Sequence, residues 1–415
     1  MPRRITTHNV PVDRISRRAI RVVELLREAN YETYLVGGCV RDVLLGHVPK
    51  DFDVATSATP EQVKKVFPRA RLIGRRFRIV HVRMGREIIE VSTFRKQIGS
   101  DDASDHNEHK THNGVIVRDN VYGNIDDDAY RRDFTVNALY YDPTKNIVLD
   151  FVNGMQDLRS RTLRLIGNPK VRFQEDPVRL LRAIRLSAKL NFIMEKSTRD
   201  AIAPVGEFLT VVPPARLSDE FNKLFMSGTA ERAFELLQEF KLLEIVFPIP
   251  SEAIGLVTAA LHSTDNRIAQ AKPVTPAFVL AALLWDQYQS QCNAFATVEN
   301  SKEKQFDAAR TVILEQQHTI AIPKRHAFFI RDVWQLQLRL ETRTPGSIRR
   351  LLEHRRFRAG YDFLLLRAEN AEVDPCIARW WTEIQALNPT DQRERIHALS
   401  PQRKTRRRRP KRENA

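Results

Sequence analysis

Apolar residues at Ile15, Ala19, Val22, Val23 and Leu26 recur at intervals of three and four, the period of an amphipathic helix. The period then shortens. Tyr34-Leu35-Val36 is an apolar run of strand length, and Lys50-Asp51-Phe52-Asp53-Val54 alternates every second residue, which sends Asp51 and Asp53 to one face and Phe52 and Val54 to the core. Ile88-Ile89-Glu90-Val91-Ser92-Thr93-Phe94-Arg95 is a further strand whose apolar run Glu90 breaks, and Arg131-Arg132-Asp133-Phe134-Thr135-Val136-Asn137-Ala138 places charge around another. Residues 30–150 thus read as mixed strands and helices, interrupted by a mobile polar loop at 96–114. Past Pro177 the pattern is helical. Val178, Leu181, Ile184, Arg185 and Ala188 mark one helix, Pro213-Pro214 followed by Arg216 and Glu220 opens another, and segments 278–285 and 327–340 continue without internal repeat. The expected fold class is α+β, a mixed sheet with helices followed by an all-helical remainder.

Chemistry enters between the first two strands. Gly37-Gly38-Cys39-Val40-Arg41-Asp42 follows the first, and paired glycines let backbone N–H groups approach a triphosphate while the next helix presents its positive end. Asp51 and Asp53 can share one metal site, because Mg²⁺ prefers a few carboxylate oxygens with substrate phosphates, and polymerase-type sites use two ions about 3.5–4 Å apart. Singly, each motif reads as a solvated turn; in this order and this close, they describe a nucleotidyl-transfer site. Glu90 is either a third metal-site acid or an edge residue facing water, and a palm-like sheet that sets its strand beside that of Asp51 favours the first. Arg131, Arg132, Asp133 and Asn137 offer two cations, an acid and an amide for triphosphate and ribose; alone they read as a surface salt-bridge cluster.

Leu35-Val36-Gly37-Gly38-x-Val40-Arg41-Asp42, Asp51-Phe52-Asp53-Val54, Arg131-Arg132-Asp133-Phe134-Thr135-x-Asn137-Ala138 and Glu175-Asp176-x-x-Arg179-x-x-Arg182-Ala183 resemble the ordered motifs of the class II tRNA nucleotidyltransferase and bacterial poly(A) polymerase family. The resemblance covers roughly residues 10–240. It implies a nucleotidyltransferase palm followed by helical neck and body domains, with Mg²⁺ as cofactor, ATP as substrate and no nucleic-acid template. Gly37, Gly38, Arg41, Arg131, Arg132, Asp133, Asn137, Asp176, Arg179 and Arg182 then become nucleotide-binding candidates, and Asp51, Asp53 and Glu90 catalytic ones. Leu72-Ile73-Gly74-Arg75-Arg76-Phe77-Arg78-Ile79-Val80-His81-Val82, the stretch from Val121-Tyr122-Gly123 through Arg131-Arg132-Asp133, and His354-Arg355-Arg356-Phe357-Arg358-Ala359-Gly360-Tyr361-Asp362-Phe363 are similar to the poly(A) branch rather than the CCA-adding one. Arg75, Arg76 and Arg78 around Phe77 suit a phosphate backbone and a stacked base; a basic hairpin over the sheet is the plainer reading.

Asp176 and Arg179 stand three apart, hence on one helical face if the helix begins near Glu175. An acid accepting from N6 and an arginine donating to N1 complement adenine, whereas guanine and uracil present the reverse order and leave buried groups unpaired at about 1–3 kcal/mol or more. Cytosine resembles adenine on this edge, so the pair explains A and C over G and U only. Read as a structural element, the same spacing is a surface ion pair worth little.

Composition fits an RNA enzyme. The 415 residues suffice for two to four domains, and 42% hydrophobic residues with 15 glycines can bury sizeable cores. Net charge is +16; residues 401–415 hold eight basic residues against one acid, so this tail, with Arg406, Arg407, Arg408 and Arg409, carries +7 and the rest +9. A polyanionic partner follows, expected to be single-stranded RNA 3′ ends, with RNA-decay proteins as protein partners. Cys39, Cys292 and Cys376 form no CxxC pattern, and His106, His109 and His112 lie in a polar stretch that reads as a solvated loop. No apolar run approaches the roughly 18 residues of a membrane span, and Pro2-Arg3-Arg4 lacks a following apolar segment, so the expected location is cytoplasmic. The expected domains are an N-terminal helical extension (1–29), the palm (30–150), a helical neck with base recognition (151–240), a helical RNA-binding body (241–400) and a disordered basic tail (401–415). A CCA-adding enzyme and an inactive RNA-binding module are the alternatives; no HD-type metal motif is present, and the intact Asp51, Asp53 and Arg131-Arg132-Asp133 rank the inactive module last.

Overall fold

A computed structural model describes residues 1–8, 10–74, 78–96, 109–112, 115–119, 121–294 and 301–399. Its strands, in chain order, are β1 (Arg3–Ile5), β2 (Thr33–Val36), β3 (Asp53–Thr56), β4 (Arg71–Ile73), β5 (Ile79–Met84), β6 (Glu87–Thr93), β7 (His109–His112), β8 (Val115–Asp119), β9 (Leu139–Asp142), β10 (Ile147–Asp150), and the short parallel pair β11 (Thr162–Leu163) and β12 (Ile193–Met194). Eight of them make one sheet in the order β1-β10-β9-β2-β3-β6-β5-β4, antiparallel except for the β3–β6 pair. β7 and β8 pair separately as an antiparallel hairpin, so the stretch read as a loop up to residue 114 contains ordered backbone at its end.

Each face of the sheet is covered by helices whose sequence explains them. Helix α1 (Arg17–Glu28) starts at Ser16, whose hydroxyl accepts from the N–H groups of Arg18 and Ala19, and buries Ala19, Val22, Val23 and Leu26 across β2, β3 and β6. Each such valine or leucine contributes about 1.5–3 kcal/mol. Residues 1–29, read from the sequence as an extension, therefore supply both an edge strand and a covering helix of the sheet. Helices α2 (Gly38–Leu44) and α3 (Pro60–Val66) follow β2 and β3; Thr59 and Gln62 form a capping box on α3. On the opposite face lies α4 (Ile125–Arg131), capped by Asn124 with Asp127, whose Ile125 and Ala129 pack with Val36, Ala55, Phe94, Tyr140 and Leu149.

Three local expectations change. Strand β3 begins at Asp53, and Asp51 sits in the exposed bend before it, because pairing with β2 and β6 starts only at Asp53. The segment 131–138 is the end of α4 followed by a 3₁₀ turn, Thr135–Asn137, and the strand opens afterwards at Leu139. Glu175 ends helix α6 (Pro169–Glu175) rather than starting a helix, and α7 (Val178–Leu190) begins only past Pro177, which cannot donate to a continuing helix. Helix α5 (Gly154–Arg159) buttresses the 3₁₀ turn: a Cβ on Gly154 would lie 2.3 Å from the Thr135 carbonyl oxygen, so only glycine permits that approach.

The chain forms two compact units. One comprises Met1–Leu224 with Arg232–Val246, so the neck segments beyond residue 150 belong largely with the sheet; the other comprises Phe225–Glu231 and the residues from Phe247 onward. The second unit is helical, and Leu336, Leu340, Phe357, Tyr361, Trp380 and Trp381 lie in its core, where the Trp381 indole donates to the Leu340 carbonyl at 2.8 Å. Among the described residues no helix is long and apolar enough to cross a membrane.

Candidate active site

Register across the sheet assembles the acids. Val36 of β2 is opposite Asp53, Asp53 is opposite Glu90 of β6, and Glu90 is opposite His81 of β5, so these side chains share one row on one face. Asp53, Glu90, Ser92, Arg131 and Arg132 line a cavity of about 230 Å³ there. Gly37 follows the lining residue Val36 with φ at +78°, and a Cβ on it would lie 3.5 Å from Arg132 Nη1 and 3.9 Å from Asp53 Oδ2. Backbone thus comes up to the acid and the guanidinium together.

Burial, then Glu90, push the Asp53 carboxyl up to about 6; Asp51 adds to the effect, while Arg132 and Arg182 oppose it. Acids crowd Asp53 more than cations relieve it, and hard oxygen donors suit Mg²⁺. Among the described residues no three His, Cys, Asp or Glu side chains form a ready-made metal cluster. A cation here fits as a guest of few carboxylates that completes its shell from phosphate and water. Glu90 also approaches His81, Oε1 to Nε2 at 3.3 Å, with its own side chain nearly half exposed. The buried Cys39 thiol of α2 is pushed up to about 12 by burial and Asp53, and donates to the Val36 carbonyl.

Arg131 and Arg132 are aimed by a residue the sequence reading passed over. Asp128 is fully buried, and its Oδ1 accepts from Arg131 Nε and Nη2 at 2.9 and 2.7 Å. Its Oδ2 accepts from Arg132 Nη2 at 2.9 Å and from the Tyr140 hydroxyl at 2.7 Å. Burial alone would raise this carboxyl, but Arg132, Arg131 and Tyr140 outweigh it and hold Asp128 far below the ordinary carboxylate range. The Arg132 guanidinium also lies over the Tyr140 ring, 5.2 Å from its centroid. The signal in sequence was the spacing: Asp128 stands three and four residues before the two arginines, one at the end of α4 and the other its C-cap.

A second network joins three distant motifs. Arg41 donates to Asn137 Oδ1 and, from Nε at 2.9 Å, to Asp42. Asn137 Nδ2 donates to Asp133 Oδ1 at 3.1 Å, and Arg182 Nε donates to Asp133 Oδ2 at 2.8 Å. Burial would raise Asp133, yet Arg182 and the hydrogen bonds from Asn137 and the Phe134 N–H hold it low. Asp157 of α5 fixes the same turn by accepting from the Thr135 hydroxyl at 2.7 Å.

Asp176 and Arg179 lie next in this chain of contacts. Asp176, between α6 and α7, receives Arg216 Nη2 at 3.1 and 3.3 Å. Arg179 Nη1 donates to the Arg172 carbonyl at 2.6 Å and to Glu175 at 3.3 Å, while Arg172 Nη2 reaches back to the Arg132 carbonyl at 2.9 Å. Helix Pro214–Phe225 is thereby tied to the segment between α6 and α7 by Arg216, and to α7 by Glu220, whose Oε2 is 3.4 Å from Arg185 Nε. Arg172 is another residue the sequence reading did not select. Arg78 carries its carbonyl to Arg95 Nη2 at 2.8 Å and stands 3.7 Å from Glu61. Arg75, Arg76, Arg406, Arg407, Arg408 and Arg409 lie outside the described residues.

The family models described as Poly A polymerase head domain, probable RNA and SrmB-binding site of polymerase A, and polymerase A arginine-rich C-terminus match residues 33–164, 191–254 and 299–414. Poly(A) polymerase I of Haemophilus influenzae is 44% identical over 92% of this chain and 87% of its own. The chain belongs to the bacterial poly(A) polymerase I family. The family's Salmonella typhimurium member is 42% identical over 97% of this chain and 89% of its own, whereas the CCA-adding enzyme of Lactobacillus helveticus aligns with only 55% of each chain, at 37% identity. The fold extends beyond the family. A tRNA-processing enzyme in its apo form superposes with a TM-score of 0.63 at 21% identity, over 92% of this chain and 95% of that one. A CCA-adding enzyme in complex with ATP gives 0.63 at 19% identity, over 92% and 88%.

Proposed function

We propose that the cavity beside Gly37 is where the 3′ oxygen of a single RNA strand attacks the α-phosphorus of ATP, adding one adenylate without a template and releasing pyrophosphate. The row that sets Asp53 and Glu90 before Arg131 and Arg132, in a chain aligned with poly(A) polymerases over nine-tenths of its length, carries this reading. Asp51 and Asp53 would hold two Mg²⁺ ions, with Glu90 beside them. When bound, such ions lower the pKa of the attacking hydroxyl and offset charge on the departing pyrophosphate. Arg131 and Arg132, kept rigid by Asp128, place positive charge where the triphosphate oxygens develop theirs. Gly37 and Gly38 admit the phosphates to the backbone; Arg41, Asn137 and Asp133 hold the turn that meets the ribose, and Arg182 braces it against α7.

Base choice falls to Asp176 and Arg179. Arg216 orients the Asp176 carboxylate to accept from adenine N6, and Arg179, anchored through Nη1, keeps Nε and Nη2 for N1. Purified protein with Mg²⁺, a single-stranded RNA primer and each nucleoside triphosphate in turn tests the reading: long extension with ATP alone is expected, and a product that stops after three nucleotides, with use of CTP, would sink it. Arg179→Ala should raise KM for ATP about tenfold and relax rejection of GTP and UTP. A slow but equally selective variant would place base reading elsewhere.

The basic tail is proposed to engage RNA phosphates without sequence preference. Deleting residues 401–415 should weaken RNA binding evenly across sequences and flatten the slope of log K against log salt by about 0.7 for each phosphate that the tail neutralises, with KM for ATP unchanged. An unaltered slope would assign the strand to the folded units alone. The expected location in the cytoplasm and partnership with RNA-decay proteins belong to the same proposal.

A further inference from the structure

The segment His354–Phe363, singled out in the sequence and unused by the catalytic reading, builds a cavity in the helical unit. Arg267, Phe278, Phe329, Arg355, Arg356 and Arg358 line it, and its volume is about 210 Å³. Three of the guanidiniums are committed to acids. Arg358 Nη2 is 2.7 Å from Asp362, Arg267 Nη1 is 3.6 Å from the same carboxylate, and Arg355 Nη2 is 3.2 Å from Asp332.

Arg356 differs. Its guanidinium lies over the Phe329 ring, 4.8 Å from the centroid, and among the described residues neither a carboxylate nor another acceptor meets it; its Nε is buried without a hydrogen-bond partner. The backbone of the turn is held by the Arg356 N–H, which donates to His354 Nδ1 at 3.1 Å. Burial, together with Arg339, Arg355 and Arg356, keeps that imidazole below its ordinary value despite Asp332, and hence an acceptor. Phe278 is fixed edge-on to Phe363 at 6.0 Å. A stacked, uncompensated guanidinium over a rigid aromatic wall is the pairing that binds a phosphate with an aromatic base.

We propose that this cavity is a subsite for one nucleotide of a single-stranded RNA, the base against Phe278 and Phe329 and the phosphate on Arg356. The volume lies below the ~300–1,000 Å³ of larger ligand sites, which limits it to a single nucleotide unit. The subsite takes from the proposed function only that the strand is RNA, and its test reads binding in the absence of divalent metal, so a failure here leaves the catalytic reading standing.

Binding of a fluorescent oligoadenylate to the full chain in EDTA is measured against salt. Arg356→Gln should weaken binding about tenfold and lower the salt slope by about 0.7, the effect of one neutralised phosphate on a single strand. Ala359→Phe, which fills the cavity and leaves every arginine in place, should weaken binding with a smaller change in slope, and serves if Arg356→Gln fails to fold. AMP and ATP are titrated in parallel. Wild-type affinity for RNA in both variants would overturn the subsite. Loss of AMP or ATP binding with RNA binding intact would make it a site for free nucleotide and overturn it for a strand.

Discussion

Asp53→Asn is expected to lower adenylate addition by about 10³-fold or more, since a residue proposed to hold the catalytic ions loses the charge that holds them. The same change should make the metal-free protein more stable. In the folded chain the Asp53 carboxyl is pushed up to about 6, above its ordinary value near 4, so between these values the folded state binds a proton that the unfolded state has released. Stability from this group is full below about pH 4 and is lost as pH rises through about 6. Ionised Asp53 therefore destabilises the neutral, metal-free protein by up to about 3 kcal/mol, and asparagine removes that burden. Melting in EDTA should give a higher Tm for Asp53→Asn at pH 7.5 and little difference at pH 4, and added Mg²⁺ should stabilise the wild type but not the variant. Retained activity, or an equal Tm gain at both pH values, would take Asp53 out of the metal site.

Asp128→Ala should be the most damaging single change to the sheet unit. Removing the carboxylate leaves Arg131, Arg132 and the Tyr140 hydroxyl facing a buried void, a loss of about 3–5 kcal/mol for a broken buried pair. Denaturant unfolding should show the lowered midpoint. Under conditions where the variant is folded, KM for ATP should rise more than kcat falls, because the guanidiniums lose their aim while the acids on β3 and β6 stay in place. The pH dependence has the opposite sign to that of Asp53. A carboxyl held far below its ordinary value contributes stability above about pH 4 that is lost as pH falls toward the folded value, so Asp128→Asn should flatten the acid limb of the wild-type stability curve. A variant that unfolds at the wild-type midpoint with unchanged KM would mean that Asp128 neither supports the fold nor positions the arginines.

These two acids mark how far a linear reading reaches. Asp53 was visible because strand alternation is a local property, and a carboxylate two residues after another, behind a Gly-Gly turn, has few other uses. Its partner Asp51 was visible by the same rule but lies in a bend, since ladder pairing, and not residue type, decides where a strand starts. Asp128 was hidden among three consecutive aspartates, Asp126, Asp127 and Asp128, that look alike in sequence. Helix phase separates them: Asp126 faces solvent, Asp127 closes the capping box, and Asp128 turns inward beside Ala129. Asp176 and Arg179 were read as one helical face, and Pro177 breaks that face into two helices; each side chain is then held by its own partners, Asp176 by Arg216 and Arg179 by Glu175 and the Arg172 carbonyl, while the Arg179 N–H donates to the Asp176 carbonyl at 2.9 Å.

By itself the sequence determined the class of chemistry: the paired acids, the glycine turn, the arginine-rich motifs and the excess positive charge are local patterns whose meaning does not depend on distant partners. It also determined the change from mixed strands to helices, because hydrophobic period is read over a few residues. Only the tertiary structure decided that Glu90 lies in register with Asp53, which depends on a parallel pairing across more than thirty residues of chain. It alone decided that Asp133 joins Arg182, Asn137 and Arg41 in one network, and that three of four arginines around the Phe278–Phe329 cavity each face a carboxylate, two of them sharing Asp362, while Arg356 faces none. Such outcomes turn on which buried charges find each other, and burial is a property of the packed chain rather than of any segment.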